Sequence, residues 1–402
     1  MVFKIVKKII QRLIKGFIFF VSIPILFLVV IVRPFVLIRF GYFFSDRIGH
    51  FAFDVEYYLC QKSNINQKKT LDIFCILGTP CNSTLTRMVK RKIKITNKVV
   101  AFCELMNAMP FAASHIIKPA KEVNGSRDLQ EIFQNSARNL DFSAGEMLKG
   151  KEFLRAVGLR EDDQYVCLIV RDSAYLSSNT SRDFSYHDYR DSDISSYKKT
   201  AKTLADKGYW VFRMGKVVKH PFNCAESKVI DYASSSSKSD FLDIWLTAHC
   251  KFAISTSTGL DAISEVFRIP MVFVNHLPVG NLKTGDPRHI ELFKTLKWKT
   301  TQQPLSLKEH IATGAINFQS LNRYQEKRIE IDDNSEDDIL YAALEMESRL
   351  SGDWIEEPKD KILQEKFYKI LESWDDYENY HGDARSLICA NFLRKNQDWF
   401  LR

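Results

Sequence analysis

Two arginines and a hydroxyl-rich turn carry the strongest chemical signal in this 402-residue chain. The run Ile254-Ser255-Thr256-Ser257-Thr258-Gly259-Leu260-Asp261 reads as a strand end, a loop of small residues and a helix start. Amides and hydroxyls at a helix start bind anions, and Gly259 lets a ligand approach the backbone closely. The competing reading is an ordinary capped strand-to-helix turn. Val170-Arg171-Asp172 and Phe212-Arg213-Met214-Gly215 end two further apolar runs. Parallel strands ending side by side would aim both guanidinium groups into one crevice at the carboxyl edge of the sheet, where their paired donors suit phosphate. The segment Tyr186-His187-Asp188-Tyr189-Arg190-Asp191-Ser192-Asp193 is dense in ionisable groups. Tyr189 and Arg190 precede the helix that follows the Arg171 strand and join the candidate anion site. The blander reading is a solvated loop with Asp193 as a cap.

Several chemistries are absent from the sequence. It holds no Walker loop, no G-x-G-x-x-G, no H-E-x-x-H and no G-x-S-x-G. The nine histidines are dispersed without metal-ligand spacing, so no metal is expected. None of the eight cysteines forms a C-x-x-C pair, and several sit in apolar runs such as Phe74-Cys75-Ile76. Buried thiols in a reducing compartment are the expectation. Of the net charge of +8, +7 lies in residues 1–50. A nucleic-acid partner is therefore disfavoured, because the basic excess coincides with an apolar run and reads as a membrane surface.

That apolar run has a distinct build. In residues 4–15, Ile5, Val6, Ile9, Ile10, Leu13 and Ile14 share one helical face, and Lys4, Lys7, Lys8, Arg12 and Lys15 share the other. An uncharged stretch follows from Phe17 to Val32, interrupted by Pro24 and closed by Arg33-Pro34. It is shorter than the ~20 residues that span a bilayer. A cleaved signal peptide, a spanning helix continued to Ile38 and a helix lying on the surface all compete. Surface attachment at the cytoplasmic face of the inner membrane agrees best with the thiols. Residues 1–45 are accordingly read as a membrane-associated helix.

The remainder alternates strands and helices. Leu71–Gly78, Lys98–Cys103, Gln164–Arg171, Tyr209–Arg213, Lys228–Tyr232, Lys251–Ser255 and Pro270–Asn275 read as strands. Helices are expected within 87–94 and over 193–208, 239–250 and 260–267. This is an α/β chain with doubly wound parallel sheets. The stretch 121–145 is polar and weakly patterned enough to hold a linker. Residues 331–380 hold 16 acids and 5 bases and read as part of a helical tail, opened by a Ser335–Asp338 capping box.

The segments RDSAYL, HDYRDSDISSY and GYWVFRMG, then FLDIWLTAHCKFAISTSTGLDAISEVFRIPMVFVN, resemble a family of bacterial glycosyltransferases from surface-polysaccharide and lipopolysaccharide gene clusters. The likeness runs from about 46 to 320 and is densest over 165–280. It implies a GT-B architecture of two Rossmann-like domains: an acceptor domain over 46–150 and a donor domain over 151–330, with 331–402 as a tail. It also implies a nucleotide-sugar donor as substrate, no cofactor, and a lipid-linked or polysaccharide acceptor. Arg171, Tyr189, Arg190, Arg213, Gly215, Ser255, Ser257, Thr258, Gly259 and Asp261 are then the donor-binding candidates. Asp191-Ser192-Asp193 has D-x-D spacing but opens a helix, which agrees with metal-independent transfer. The acceptor hydroxyl needs a general base; His50 is the first choice, with Asp54 and Glu56 as alternatives. Transfer of glycerophosphate or pyruvate to a glycan, and a non-catalytic membrane scaffold, are the rival functions.

Overall fold

A computed structural model of the chain describes residues 16, 23–24, 27–64, 69–96, 110–117, 126–174 and 185–402. They form two units. The first comprises Met1–Ser126 with Asn139–Asp141, and the second Arg127–Arg138 with Phe142–Arg402.

The first unit is built on a parallel sheet in the order β2-β1-β3: β1 is Leu37–Phe44, β2 Thr70–Leu77 and β3 Ile116–Ile117. Helix α1 (Ile48–Asn64) makes the crossover from β1 to β2 and buries Phe51, Ala52, Val55 and Cys60. β1 carries Gly41 where the sheet is closely covered; a Cβ there would come 2.5 Å from the Phe74 ring. One buried carboxylate ties the sheet to α1. Asp72 accepts from Arg39 at 2.7 and 3.0 Å, from Lys62 at 3.0 Å and from the Tyr58 hydroxyl. Burial alone would raise the Asp72 pKa, but these donors hold it below the usual carboxylate value. Helix α2 (Ser83–Lys92) begins at the Asn82 cap and covers part of the expected 87–94 helix.

The structure corrects the reading of residues 1–45. Helical backbone over 27–31 gives way to a turn at 32–35, and β1 starts at Leu37. The helix thus does not continue to Ile38, and the segment's end is the central strand of a sheet. Among the described residues no helix is long and apolar enough to cross a membrane. The basic amphipathic stretch 4–15 and the strand expected over 98–103 lie outside the described residues. Phe27, Leu28, Ile31 and Phe35 are 61–82% exposed.

The second unit holds a seven-stranded sheet, all its pairings parallel, in the order β12-β9-β8-β7-β4-β5-β6. β4 (Tyr165–Ile169), β5 (Trp210–Arg213), β6 (Val229–Ile230), β7 (Phe252–Ser255) and β8 (Met271–His276) match the apolar runs read from sequence to within a few residues. β9 is Ile290–Phe293 and β12 Leu387–Ile388. The strands are nearly continuous apolar runs because both faces are covered. Val166 and Leu168 enter one core, and Tyr165, Cys167 and Ile169 enter the other. Helix α3 (Ala144–Ala156) packs against α5 (Asp240–His249); a Cβ on Gly150 would meet the Trp245 ring at 2.0 Å. The expected 193–208 helix is a 3-10 turn capped by Asp193, followed by α4 (Lys198–Asp206). Helix α6 (Asp261–Val266) has only six residues. A two-stranded antiparallel ribbon, β10 (Thr295–Trp298) with β11 (Ile329–Asp332), stands apart from the main sheet.

The acidic tail is integral to this unit. α7 (Glu336–Ser351) starts at the Ser335–Asp338 capping box, and α8 is Pro358–Leu371. β12 then supplies an edge strand, and α9 (Ala390–Phe400) puts Phe392, Leu393 and Phe400 into the core shared with Val166.

Candidate functional site

In the second unit, β4 and β7 are neighbours with Ile169 opposite Ser255, so the chain beyond both strand ends emerges at one edge of the sheet. The main-chain amide of Arg171 donates to Thr256 Oγ1 at 2.8 Å, which locks the two exits together. Arg171 Nε donates to Asp191 Oδ1 at 2.9 Å. Arg190, at the end of a 3-10 helix over Ser185–Arg190, donates from a terminal nitrogen to the Ser257 carbonyl oxygen. Arg171 and Arg190 therefore both border the 255–261 loop. Burial, and after it the nearby Arg171 charge, lowers the Arg190 pKa below the usual guanidinium value. Two guanidinium groups held this close gain from an anion between them.

The loop itself is less open to an anion than the sequence suggests. Asp261 is buried and its Oδ2 accepts from Ser255 Oγ at 2.8 Å and from the Thr258 amide at 2.7 Å. The Ser257 amide donates to Ser255 Oγ at 3.1 Å, and that of Leu260 to Thr258 Oγ1 at 3.4 Å. Burial raises the Asp261 pKa, against the pull of Lys283 and these donors. Two of the amides expected to hold phosphate, those of Ser257 and Thr258, are thus engaged inside the loop, as is that of Leu260, and a six-residue helix adds little dipole. Gly259 is exposed at the tip. Ser255 and Asp261 shape the loop rather than offering it to a ligand.

Arg213 is corrected more sharply. Its guanidinium is 1% exposed, donates to Asp231 Oδ1 at 3.2 Å and lies 3.8 Å from Asp172. A buried cation already met by two carboxylates has little left for a phosphate. Gly215 holds a turn at φ 153°, where a Cβ would lie 2.7 Å from Val218 Cγ1. Tyr189 is 4% exposed beside the Tyr324 ring, and its hydroxyl has no hydrogen-bond partner among the described residues.

Two further residues extend this edge: Asp191, read from sequence only for its D-x-D spacing, and Lys294, which sequence reading left out. Asp191 receives Arg171 on its carboxylate and Lys294 Nζ on its carbonyl, at 2.8 Å. Lys294 is buried and also pairs with Asp333 at 2.7 Å.

The first unit carries a separate constellation. His50 and Asp54 lie one turn apart on α1. Ser126 bridges them: His50 Nδ1 is 2.7 Å from Ser126 Oγ, which donates to Asp54 Oδ1 at 2.8 Å. Because the serine proton goes to Asp54, the Nδ1–H must be the donor to Ser126, and Nε2 becomes the basic nitrogen. Burial pushes the Asp54 pKa up to about 6, with the Ser126 bond holding it from rising further. Ser126 adopts left-handed backbone at φ 64°. Glu56 has a different role: its carboxylate accepts the amides of Asn139 and Leu140 at 2.9 Å each and is fully buried. It is a structural acceptor and leaves the list of candidate bases.

Among the described residues no group of three His, Cys, Asp or Glu side chains is arranged to hold a metal. No family model matches the chain, and no curated protein does. Among solved structures, it is similar to a glycosyl transferase family 9 protein from Veillonella parvula, at 8% identity over 60% of this chain and 80% of that one, with a TM-score of 0.38. It is also similar to the E. coli ADP-heptose lipopolysaccharide heptosyltransferase II, at 13% identity over 59% and 84%, with a TM-score of 0.36. A third likeness is to the E. coli heptosyltransferase WaaC with ADP, at 11% identity over 63% and 90%, with a TM-score of 0.32. Identities and scores this low transfer neither a substrate nor a residue role to this chain.

Proposed function

We propose that this protein is a glycosyltransferase of GT-B type that takes a sugar from a nucleotide-sugar donor. The observation that carries the proposal is the placing of Arg171 and Arg190 beside one loop at the carboxyl edge of a parallel sheet. Open α/β sheets bind ligands at that edge. A diphosphate leaving group departs only if its growing charge is met, and two fixed guanidinium groups meet it without a divalent cation. The Ser257 and Thr258 side chains and Gly259 border the same place. The resemblance of residues 165–280 to polysaccharide-cluster glycosyltransferases agrees with this reading.

The acceptor is a lipid-linked or polysaccharide hydroxyl. Its oxygen attacks the anomeric carbon, the carbon–phosphate-oxygen bond breaks, and the electron pair leaves with the diphosphate. His50 Nε2 takes the hydroxyl proton, with Ser126 and ionised Asp54 fixing the ring and stabilising its charged form. The exposed Phe27, Leu28, Ile31 and Phe35, with Arg33 among them, support attachment to the cytoplasmic face of the inner membrane.

Calorimetric titration of the full-length protein in mild detergent with uridine, guanosine, cytidine and adenosine diphosphates tests the donor site. One of them should bind, and Arg171→Ala and Arg190→Ala should each weaken it. Absence of binding by all four would remove the nucleotide-sugar reading.

A further inference from the structure

A cleft of about 560 Å³ opens in the second unit, walled by the end of the 185–190 3-10 helix, the β10–β11 ribbon and a short helix at Leu321–Glu326. It is a ligand-sized space, within the ~300–1,000 Å³ usual for such sites. Its chemistry differs from that of the arginine pair. Among its lining residues five carboxylates stand against three cations, and Asp191 and Asp332 also pair with Arg171 and Lys297 beside the wall, so the charge is close to balanced and no cationic cradle awaits a phosphate. Acceptors such as Asp188 and Glu330 alternate with donors such as Lys299, Gln325 and Arg328. Ile329 and Leu321 give apolar footing between them.

A wall of closely spaced donors and acceptors with apolar footing suits a molecule whose every polar group both donates and accepts. Sugar hydroxyls do that, and the C–H faces of a pyranose ring lie on aliphatic and aromatic side chains. The buried Tyr189 supplies a second and independent indication. It lines the cleft, and its hydroxyl has no hydrogen-bond partner among the described residues, a lack that a ligand hydroxyl would fill.

We propose that this cleft is a binding site for a neutral oligosaccharide, distinct from the place of the donor phosphates and contained wholly in the second unit. Asp191 forms the partition. Its carboxylate faces Arg171 while its carbonyl holds Lys294, the buried cation of the cleft wall. The site goes beyond the transfer reaction, since it needs neither donor nor turnover to fill.

Saturation-transfer difference NMR on the full-length protein, with maltotriose, cellotriose, mannotriose and chitotriose as probes, tests it. At least one trisaccharide should receive saturation. Tyr189→Phe, which removes only the hydroxyl, and Asp188→Asn should each raise its Kd roughly threefold to tenfold, the scale of one hydrogen bond. Adding the nucleoside diphosphate should leave the sugar signal in place. No saturation of any of the four sugars overturns the proposal, as does binding that both variants leave unchanged. Displacement of the sugar by the nucleotide also overturns it, by placing the sugar in the donor's own site. Nucleotide titration of the same sample reports separately on the donor reading, so either can fail alone.

Discussion

Arg190 and Ser257 stand 67 residues apart in the chain, yet a terminal guanidinium nitrogen of Arg190 donates to the Ser257 carbonyl oxygen. The bond fixes a cation directly on the 255–261 loop, and among the described residues it engages a single carbonyl, so the fork has further donors to offer a ligand. Arg190→Ala should therefore weaken nucleoside diphosphate binding roughly tenfold to hundredfold, the loss of one charge-assisted interaction of ~1.5–3 kcal/mol. Arg190→Lys should recover only part of it, since an ammonium cannot hold the carbonyl and a phosphate in the same fork. Calorimetry on the three proteins checks both.

Arg213→Met should separate from these variants. Its guanidinium sits between Asp172 and Asp231, so its loss leaves two carboxylates facing each other. Thermal unfolding should report a destabilisation of about 3 kcal/mol, while nucleotide affinity of the folded protein stays within about twofold.

His50→Ala should lower turnover by about 10²-fold or more with donor affinity unchanged, the usual scale for a lost general base. Ser126→Ala cuts the link to Asp54 without removing the imidazole. It should lower turnover less than His50→Ala and shift the acidic limb of the pH–rate profile. Equal turnover in wild type and His50→Ala would take the role of base from His50 and leave Asp54 as the candidate on this segment.

Asp54 predicts a pH signature in stability. Its pKa rises from 3.8 unfolded to about 6 folded, so the native state holds the proton more tightly. The carboxyl's contribution is fully present below about pH 4 and is lost as pH rises through about 6. A shift of that size corresponds to about 3 kcal/mol. Asp54→Asn should unfold with a midpoint that no longer falls over this window, and urea titrations at pH 4, 5, 6 and 7 would show it.

The amino terminus gives a sharp pair of truncations. A chain starting at Val36 keeps all of β1 and should fold, with Phe27 and Phe35 gone and membrane association lost. A chain starting at Asp46 lacks the central strand of the β2-β1-β3 sheet. It should lose the cooperative unfolding of the first unit, as followed by circular dichroism.

Much of this fold was legible because its signals are local. The apolar run at 164–171 marks β4, and Ser335 with Asp338 marks the start of α7 by a box three residues long. β1 was missed because Leu37–Phe44 continues an apolar stretch, and apolarity alone does not separate a membrane segment from a buried strand. β12 was missed because two residues carry no periodicity. At the site, the exits of Arg171 and Ser255 followed from strand ends, whereas partners did not. Nothing near Arg213 announces Asp231 across the turn, and nothing near Ser126 announces Asp54, 72 residues earlier. Hydrogen bonds between distant residues leave no local pattern to read.

The carboxylate of Glu56 has a consequence for how this protein can be rearranged. The amides that satisfy it come from Asn139 and Leu140, a loop that returns to the first unit after the chain has already entered the second at Arg127. The two units are therefore not beads on a string that recombination can exchange at a single junction. A chimaera joined at residue 126 would inherit α1 with a buried acid that has lost both of its main-chain amide donors. Any exchange that preserves the first unit must carry the 139–141 loop along, so a working exchange needs two junctions on this side of the chain rather than one.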